Sequence, residues 1–154
     1  MDRAAHADRD TALRAVAMVM PMIVAAMTDR RVGESGFLHI VIMDPISCPT
    51  VDAFEKSILY EESVGDRSAW DADYADYARA KAAISWRTGL DSHTVCETRP
   101  HLLRQADGAV WGSVCVEGIV VGVSGANPWY DEAFAAAVAH AFKAIAKARS
   151  RQAD

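Results

Sequence analysis

One stretch of the chain, residues 111–132 (WGSVCVEGIVVGVSGANPWYDE), restricts the possible folds more than any other. It contains two short apolar segments, 113–116 and 119–123, which are separated only by Glu117 and Gly118. A two-residue spacing between such segments is typical of a tight antiparallel hairpin. The sequence therefore predicts two paired strands at this position.

The same stretch predicts a helix directly after the second strand. Small residues at 124–127 carry the chain off the sheet, and Asn127 and Pro128 suit the N-cap and the first position of a helix. Asp131 and Glu132 place negative charge at the positive end of the helix dipole. Backbone N–H groups at such a junction are suited to holding a small anionic or polar ligand.

The composition excludes several classes of protein. The chain has 154 residues, 51% of them hydrophobic and 24% charged, which predicts a single globular domain. The net charge is −5 and there is no basic cluster, so nucleic acid is not an expected partner. The three cysteines form no CxxC pair, and we expect neither a disulfide framework nor a metal site. Free cysteines fit a reducing compartment, and the predicted location is the cytoplasm.

The apolar segment 15–27 resembles a membrane span but is too short for one. It has 13 residues, whereas a spanning helix needs about 20, and it contains Pro21. We therefore predict a buried helix and no membrane association. Because the helix is apolar nearly all round, it should be covered by the sheet, by a neighbouring subunit, or by both. Pro21 is expected to kink this helix or to end it early.

The remaining pattern predicts an α+β domain with a largely antiparallel sheet flanked by helices. The first strand is apolar on both faces, which indicates a central position in the sheet. The predicted segments are a helix at 10–27, a strand at 37–43, an ambiguous segment at 46–56, a strand at 57–64, a helix at 68–88 that stops at Gly89, an irregular stretch or short helix at 93–104 that breaks at Pro100, the hairpin, and a last helix at 128–149.

Four motifs together resemble a known family. They are the first strand ending in Asp44, the segment Ala78-Arg79-Ala80-Lys81-Ala82 with Thr88-Gly89 and Ser92-His93-Thr94 after it, the hairpin ending in Gly122-Val123-Ser124-Gly125, and Asp131-Glu132 at the last helix. On these motifs, residues 10–150 resemble the GlcG/HbpS-like family, also called the haem-degrading-domain family. The chain departs from the family pattern at Pro45-Ile46 and at 105–112, where the family carries glycines.

The resemblance implies a profilin- or PAS-like sandwich that spans residues 1–154 as one domain. It also implies a homo-oligomer and a protein that binds a small molecule, with haem or another tetrapyrrole as the leading ligand. Lys81 and the loop at 124–127 would then hold a carboxylate of the ligand while a histidine approaches the iron.

Lys81 is the strongest single candidate for a functional residue. It shares a helix face with Tyr74, Tyr77 and Ile84, so its ammonium group is expected to be partly desolvated. A desolvated lysine favours either a ligand anion or an acidic partner from the protein core. Both interpretations stay open, as does the possibility that the side chain simply passes the tyrosines to reach solvent.

The histidines offer bases or haem ligands. His39 lies on the apolar face of the first strand, where it is either a hydrogen-bonded core residue or an axial ligand or base. His93 and His101 lie in the irregular stretch, and either one could approach a haem iron.

The residues of the last loop are candidates for ligand contact. The Ser124 hydroxyl and the N–H groups of Gly125, Ala126 and Asn127 can bind a carboxylate, or they can cap the protein's own helix. Ser124 is not in a GxSxG nucleophile motif. Asp131 either serves as an acid of the first helical turn or accepts a hydrogen bond from Lys81 or from a ligand.

Two further sets of side chains have alternative roles. Trp111, Trp129 and Tyr130 would form either an aromatic wall for a flat ligand or a subunit contact. The acidic residues that begin the helix predicted at 68–88 are expected to form a solvated helix start rather than a metal site; they are Asp66, Asp71, Asp73 and Asp76.

The leading functional hypothesis is therefore a small-ligand-binding protein. The alternative is a cofactor-independent enzyme of small-molecule catabolism, in which Lys81, His39 and Asp131 act on a carboxylated or aromatic substrate. A third hypothesis is a sensor or accessory subunit without chemistry of its own.

Overall fold

The computed structural model describes residues 6–108 and 110–152. Over these residues the fold is α+β, with four α-helices and one four-stranded sheet. The strands are β1 (Leu38–Met43), β2 (Ile58–Val64), β3 (Ser113–Val116) and β4 (Ile119–Ser124). The helices are α1 (Arg9–Met27), α2 (Tyr74–Thr88), α3 (Ser92–Thr98) and α4 (Pro128–Gln152).

The sheet is antiparallel throughout, and its strand order is β2-β1-β4-β3. All six residues of β1 are buried, which confirms the predicted central strand. In the register of the sheet, His39 on β1 lies opposite Ser63 on β2 and opposite Ser124 on β4. The sheet therefore places these three polar residues in one row.

The predicted hairpin is confirmed. Strands β3 and β4 pair directly, and the two connecting residues both have positive φ, 49° at Glu117 and 84° at Gly118. Positive φ at both central positions is the geometry that a two-residue turn needs to match the twist of its strands.

Helices cover both faces of the sheet. Helices α1 and α4 pack on one face, against Leu38, Ile40 and Val121 among others. Helix α2 packs on the other face, where Ala78 and Ala82 contact Val41.

Helix α3 covers the outer edge of β3. The Asp91 carboxylate accepts a hydrogen bond from the Cys115 backbone N–H at 3.0 Å, and the Ser92 hydroxyl accepts one from the Ser113 N–H at 3.1 Å. These side chains satisfy donors that an edge strand would otherwise expose. They also hold the start of α3 beside the hairpin.

The long helix predicted at 68–88 begins later than expected. The residues before it form a short 3₁₀ turn, Arg67–Ala69, and α2 starts at Tyr74. Asp66 and Asp73 explain the difference, because each carboxylate accepts a backbone N–H and so caps a separate element. The helix does end at Gly89, as predicted. In the ambiguous segment 46–56, turns lead into a 3₁₀ turn at Glu55–Ser57.

Helix α1 runs through Pro21 to Met27 without ending early. One face of α1 is buried, whereas Met18 is 60% exposed and Leu13, Met22 and Val24 are also exposed. By length and composition alone, α1 could cross a membrane. Within the fold, 39% of its 18-residue apolar stretch is buried. Helix α4 and the sheet thus cover only one side of a helix that the sequence predicts to be covered all round.

Candidate functional site

Lys81 and Asp131 meet at the end of β4, where the α2 and α4 layers come together. The Lys81 Nζ lies 2.9 Å from Asp131 Oδ2, and it also donates to the Val123 carbonyl at 3.1 Å and to the Ser124 Oγ at 3.2 Å. The residues are 5% and 1% exposed. The ammonium group therefore has three protein acceptors and pairs with a core carboxylate, which is one of the roles that the sequence left open.

The second oxygen of Asp131 binds the loop that precedes α4. Asp131 Oδ1 accepts the Ala126 N–H at 2.8 Å. The Asn127 N–H donates to the Val32 carbonyl at 2.8 Å, and its side-chain amide donates to the Arg31 carbonyl at 2.6 Å. The protein's own groups thus use donors that the sequence suggested for a ligand carboxylate.

Burial determines the protonation behaviour of this pair. Desolvation raises the pKa of Asp131 to about 6, although Lys81 and the loop N–H groups act in the opposite direction. The carboxyl group therefore binds a proton in the folded protein at a higher pH than it does in the unfolded chain.

Two glycines close the backbone over this pair. At Gly112, φ is +131°, and an added Cβ would lie 2.9 Å from the Lys81 Cδ and 3.0 Å from the Asp131 Cβ. At Gly125, φ is +140°, and an added Cβ would overlap the Phe37 carbonyl oxygen. Any side chain at these positions would collide with its neighbours, so glycine allows the tight closure. A ligand can reach Lys81 only if this backbone moves.

His39 is a fully hydrogen-bonded core residue. Its Nε2 lies 3.1 Å from Glu61 Oε1, and its Nδ1 lies 2.8 Å from the Ser63 Oγ. Because a carboxylate only accepts, Nε2 carries the proton and Nδ1 accepts from the serine hydroxyl of a neutral ring. Burial lowers the pKa of His39, whereas Glu61 raises it. Both ring nitrogens are therefore engaged within the protein.

The surroundings of His39 come from β2 and from the segment before α2. Arg79 holds Glu61 through two hydrogen bonds of 2.7 and 2.9 Å. The Trp70 ring lies edge-on to His39 at 5.9 Å, and Tyr74 in turn packs against Trp70 at 5.3 Å. These contacts give Tyr74 a place in the wall around His39 rather than beside Lys81.

The predicted shared face of α2 is only partly realised. Tyr74, Lys81 and Ile84 are buried, but Tyr77 is 53% exposed. The helix contacts the sheet chiefly through Ala78 and Ala82, which puts Tyr77 at the margin of the buried face. Tyr77 therefore keeps the helical spacing of this face but is not buried with it.

A second group of side chains lies on the surface next to Asp131, and we call it the outer cluster: His93, Trp111 and Glu132. The His93 ring stacks on the Trp111 ring with centroids 4.0 Å apart and planes inclined by 31°. The His93 Nδ1 lies 3.7 Å from Glu132 Oε2. The side chains of His93 and Glu132 are 42% and 30% exposed, so a ligand can reach this group.

Glu132 has an unusual environment within the outer cluster. Its Oε2 atom is buried and has no hydrogen-bond partner among the residues that the structure describes. Burial raises the pKa of Glu132, the nearby Asp91 raises it further, and His93 lowers it. The sequence suggested Glu132 as a helix-start acid and, with Asp131, as part of the family motif, but not as a site residue; its position directly after Asp131 was the signal that it lies at the same junction.

The structure joins only some of the predicted site residues. It brings Lys81, Ser124 and Asp131 together, and it stacks His93 on Trp111. His101 is exposed on the 3₁₀ turn Pro100–Leu102, and Trp129 is exposed on the first turn of α4. Within 6–108 and 110–152, no three histidine, cysteine or acidic side chains are placed to hold a metal ion.

An apolar groove lies elsewhere, between α1 and β2. Its volume is about 610 Å³, and it is lined by Leu13, Ala17, Met20, Pro21, Val24, Tyr60 and Glu62. None of the site residues predicted from the sequence lines this groove.

A scan against protein-family models and searches of curated proteins and of solved structures each gave no match to this chain.

Proposed function

We propose that this chain is a small-ligand-binding protein with a GlcG/HbpS-like, profilin- or PAS-like sandwich, and that the ligand binds at the outer cluster. The antiparallel sheet between the α1–α4 pair and α2 agrees with such a sandwich. The proposal places the ligand on the surface beside the buried ion pair, and not on Lys81 itself.

The observation that carries the proposal is the partly exposed side chain of Glu132 beside the stacked rings of His93 and Trp111. Because the Oε2 atom itself is closed to solvent, a ligand with a hydrogen-bond donor would approach the exposed part of this side chain while its apolar part contacts Trp111 or His93. Ligand sites combine apolar surface with a few polar groups in this way.

The Lys81–Asp131 pair has a positioning role in this proposal. Asp131 is fixed by Lys81 and by the Ala126 N–H, and Glu132 is the next residue on α4. A rigid first turn of α4 fixes where the Glu132 carboxylate can lie. Buried side chains with engaged hydrogen bonds provide the support that a binding site needs.

The contacts at the first predicted site do not fit a haem. Both nitrogens of His39 are hydrogen-bonded, and Lys81 and the Ala126 N–H are bound to Asp131. A haem at that position would lack both the axial nitrogen and the donors for its propionates. Ligation by His93 or His101 stays a prediction, and an absorbance titration with hemin tests it.

The alternative of acid–base catalysis by Lys81 and His39 has less support. These residues are 5% and 3% exposed, and all of their side-chain nitrogens have protein partners. A group that transfers a proton to substrate must come within hydrogen-bonding reach of it. Catalysis at Lys81 would require the backbone at Gly112, which packs against the Lys81 side chain, to move.

Native mass spectrometry of the purified protein tests the proposed function. We expect a small molecule to be retained by the wild-type protein and by His140→Ala, and to be lost from Trp111→Ala and His93→Ala. His140 is the matched control because it is an exposed histidine of α4 that belongs to no predicted ligand site. Retention of the same molecule by all four proteins would contradict the proposed site.

Homo-oligomer formation stays a prediction from the resemblance. The exposed apolar face of α1, with Met18 and Met22, is where a second copy would gain most from burial. Sedimentation velocity on the wild-type protein and on Met18→Glu is the direct measurement, and equal monomeric profiles would contradict it.

A further inference from the structure

Resting on the homo-oligomer proposed above, we infer that two copies of this chain pair antiparallel through the outer edge of β2 (Ile58–Val64). The sheet then continues across a two-fold axis into the sheet of the second copy, and the α1 flanks of the two copies meet beside the joined strands. The ligand site is left free, because the outer cluster takes His93 from α3, which covers the opposite edge of the sheet.

The two edges of the sheet differ in how they are covered. At the β3 edge, the Asp91 and Ser92 side chains of α3 accept backbone N–H groups of the strand. At the β2 edge, no further strand follows in the part of the chain that the structure describes. None of the seven residues of β2 is buried, whereas every residue of β1 and β4 is. An open antiparallel edge can accept another strand through its free N–H and C=O groups.

Helix α1 makes the surface beside this edge apolar. It packs on β2, and the groove of about 610 Å³ between the two elements is lined by Leu13, Ala17 and Pro21 among others. After Arg14, no charged residue occurs in α1 up to its end at Met27. An exposed apolar face that adjoins an open strand edge is typical of a protein–protein interface.

The charges at this edge favour a second copy as the occupant. Tyr60 and Glu62 lie two residues apart on the face of β2 that borders the groove, and the Arg9 guanidinium lies 5.2 Å from the centroid of the Tyr60 ring. Antiparallel pairing of β2 with itself places Tyr60 of each copy, with its Arg9, opposite Glu62 of the other. Opposite charges then meet twice across one axis. A uniformly acidic or basic strand would complement only one of these two positions.

The other glutamate of β2 does not oppose this pairing. In that register Glu61 lies opposite Glu61 of the second copy, on the face that borders α2. Each Glu61 carboxylate is already held by its own Arg79, at 2.7 and 2.9 Å, and by His39 at 3.1 Å. The two carboxylates therefore meet with their charges compensated.

The available surface suits a dimer of standard size. A stable interface takes about 800 Å² from each partner, roughly a tenth of a small protein's surface, and this protein exposes 8171 Å². Helix α1 is about 28 Å long and β2 about 23 Å long, and in two layers each about 10 Å deep they outline about 500 Å². Projecting groove side chains such as Leu13 and Val24, which are 41% and 49% exposed, add accessible area to this outline. The two elements therefore supply most of the area that a dimer needs.

Charge reversal combined with mixing of chains tests the contact across the axis. We expect sedimentation equilibrium to show a wild-type dimer whose dissociation constant rises about tenfold or more in Arg9→Glu and in Glu62→Arg, because like charges then face each other. An equimolar mixture of the two variants should dimerise about as tightly as the wild-type protein. In the mixed dimer one contact joins the two reversed positions and the other joins the two unchanged positions, so both contacts carry opposite charges. Arg99→Glu, an exposed reversal directly after α3, is the control and should leave the dissociation constant unchanged.

Hydrogen exchange on the wild-type protein tests the strand pairing without any variant. Every second residue of β2 points its N–H away from β1. Above the dissociation constant these amides should exchange as slowly as those that bond to β1. After dilution below it they should exchange about tenfold faster or more.

The outcomes separate this inference from the proposals made above. Outward β2 amides that exchange fast in the dimer, or two variants that do not dimerise on mixing, would overturn the pairing and leave a homo-oligomer whose copies meet elsewhere. A wild-type protein that stays monomeric at every concentration measured would overturn both the pairing and the homo-oligomer. Native mass spectrometry would still decide the ligand site in either case.

Discussion

The Lys81 Nζ lies 2.9 Å from the Asp131 Oδ2, although the two residues are 50 positions apart and belong to helices on opposite faces of the sheet. Their contact passes around the end of β4, whose Ser124 side chain and Val123 carbonyl complete the coordination of the ammonium group. The pair therefore joins the two helical layers at the point where the sheet ends. Its net contribution to stability depends on how well its geometry offsets the loss of hydration.

Breaking this pair should destabilise the fold strongly. Asp131→Ala leaves the Lys81 ammonium buried without its counter-charge, which typically costs about 3–5 kcal/mol. The double variant Lys81→Met, Asp131→Leu removes both charges and should be more stable than Asp131→Ala. Urea unfolding followed by circular dichroism measures all three proteins. If Asp131→Ala has the same free energy of unfolding as the wild-type protein, the Lys81–Asp131 pair does not hold the two helical layers together.

The raised pKa of Asp131 predicts a specific dependence of stability on pH. The folded protein holds this proton up to a pKa of about 6, against 3.8 for an ordinary aspartic acid, so the folded state binds more protons between these values. The contribution of this group is therefore most favourable below about pH 4, and it declines by about 3 kcal/mol as the pH rises through 6. In the Lys81→Met, Asp131→Leu variant this decline should be absent. If the free energy of unfolding changes with pH in the same way in the wild-type protein and in this double variant, the pKa of Asp131 is not raised.

His39 should make the stability of the fold depend on pH with a sign opposite to that of Asp131. Burial lowers its pKa below 6.5, so the unfolded chain binds the proton more readily than the folded protein does. Stability from this group is present above 6.5 and is lost as the pH falls through that value toward the lowered pKa. Nuclear magnetic resonance titration of the ring should give His39 a pKa below the ordinary histidine value of 6.5.

Glu61→Gln provides the matched test for His39. The Glu61 carboxylate raises the pKa of His39, so its removal should lower that pKa further. An increase in the pKa of His39 in this variant would contradict the hydrogen-bond arrangement described for the ring. Ser63→Ala, by contrast, removes only the donor to Nδ1.

Local sequence signals predicted the elements of the fold better than their contacts. The hairpin at Glu117-Gly118 and the central strand β1 follow from spacing and from apolar periodicity, which act over a few residues. The start of α2 was missed because several acidic residues compete as caps, and only the structure shows that Asp73 begins the helix.

The candidate site was predicted only in part because its contacts are long-range. The sequence placed Lys81 on a buried helix face and Asp131 at a helix start, and it left their pairing as one of several alternatives. Whether Lys81 meets a ligand or a carboxylate depends on how the β4–α4 loop turns, which no local pattern encodes. The contacts of the outer cluster are also long-range. Helix α3 supplies His93, the segment before β3 supplies Trp111, and α4 supplies Glu132.

Gly125 should be the least replaceable residue of the loop that makes this turn. Its φ of +140° is unfavourable for any side chain, and an added Cβ would overlap the Phe37 carbonyl oxygen and lie 2.7 Å from the Leu38 Cα. Gly125→Ala should therefore displace the loop from β1, shift Asp131 away from Lys81, and yield little folded protein. Gly36→Ala is the control, because Gly36 also has positive φ (+76°) but an added Cβ meets nothing within 4 Å, so it should cost only about 1–2 kcal/mol. Thermal unfolding of both variants gives the comparison. If Gly125→Ala unfolds at the same temperature as Gly36→Ala, the close packing of this loop on β1 does not hold the ion pair in place.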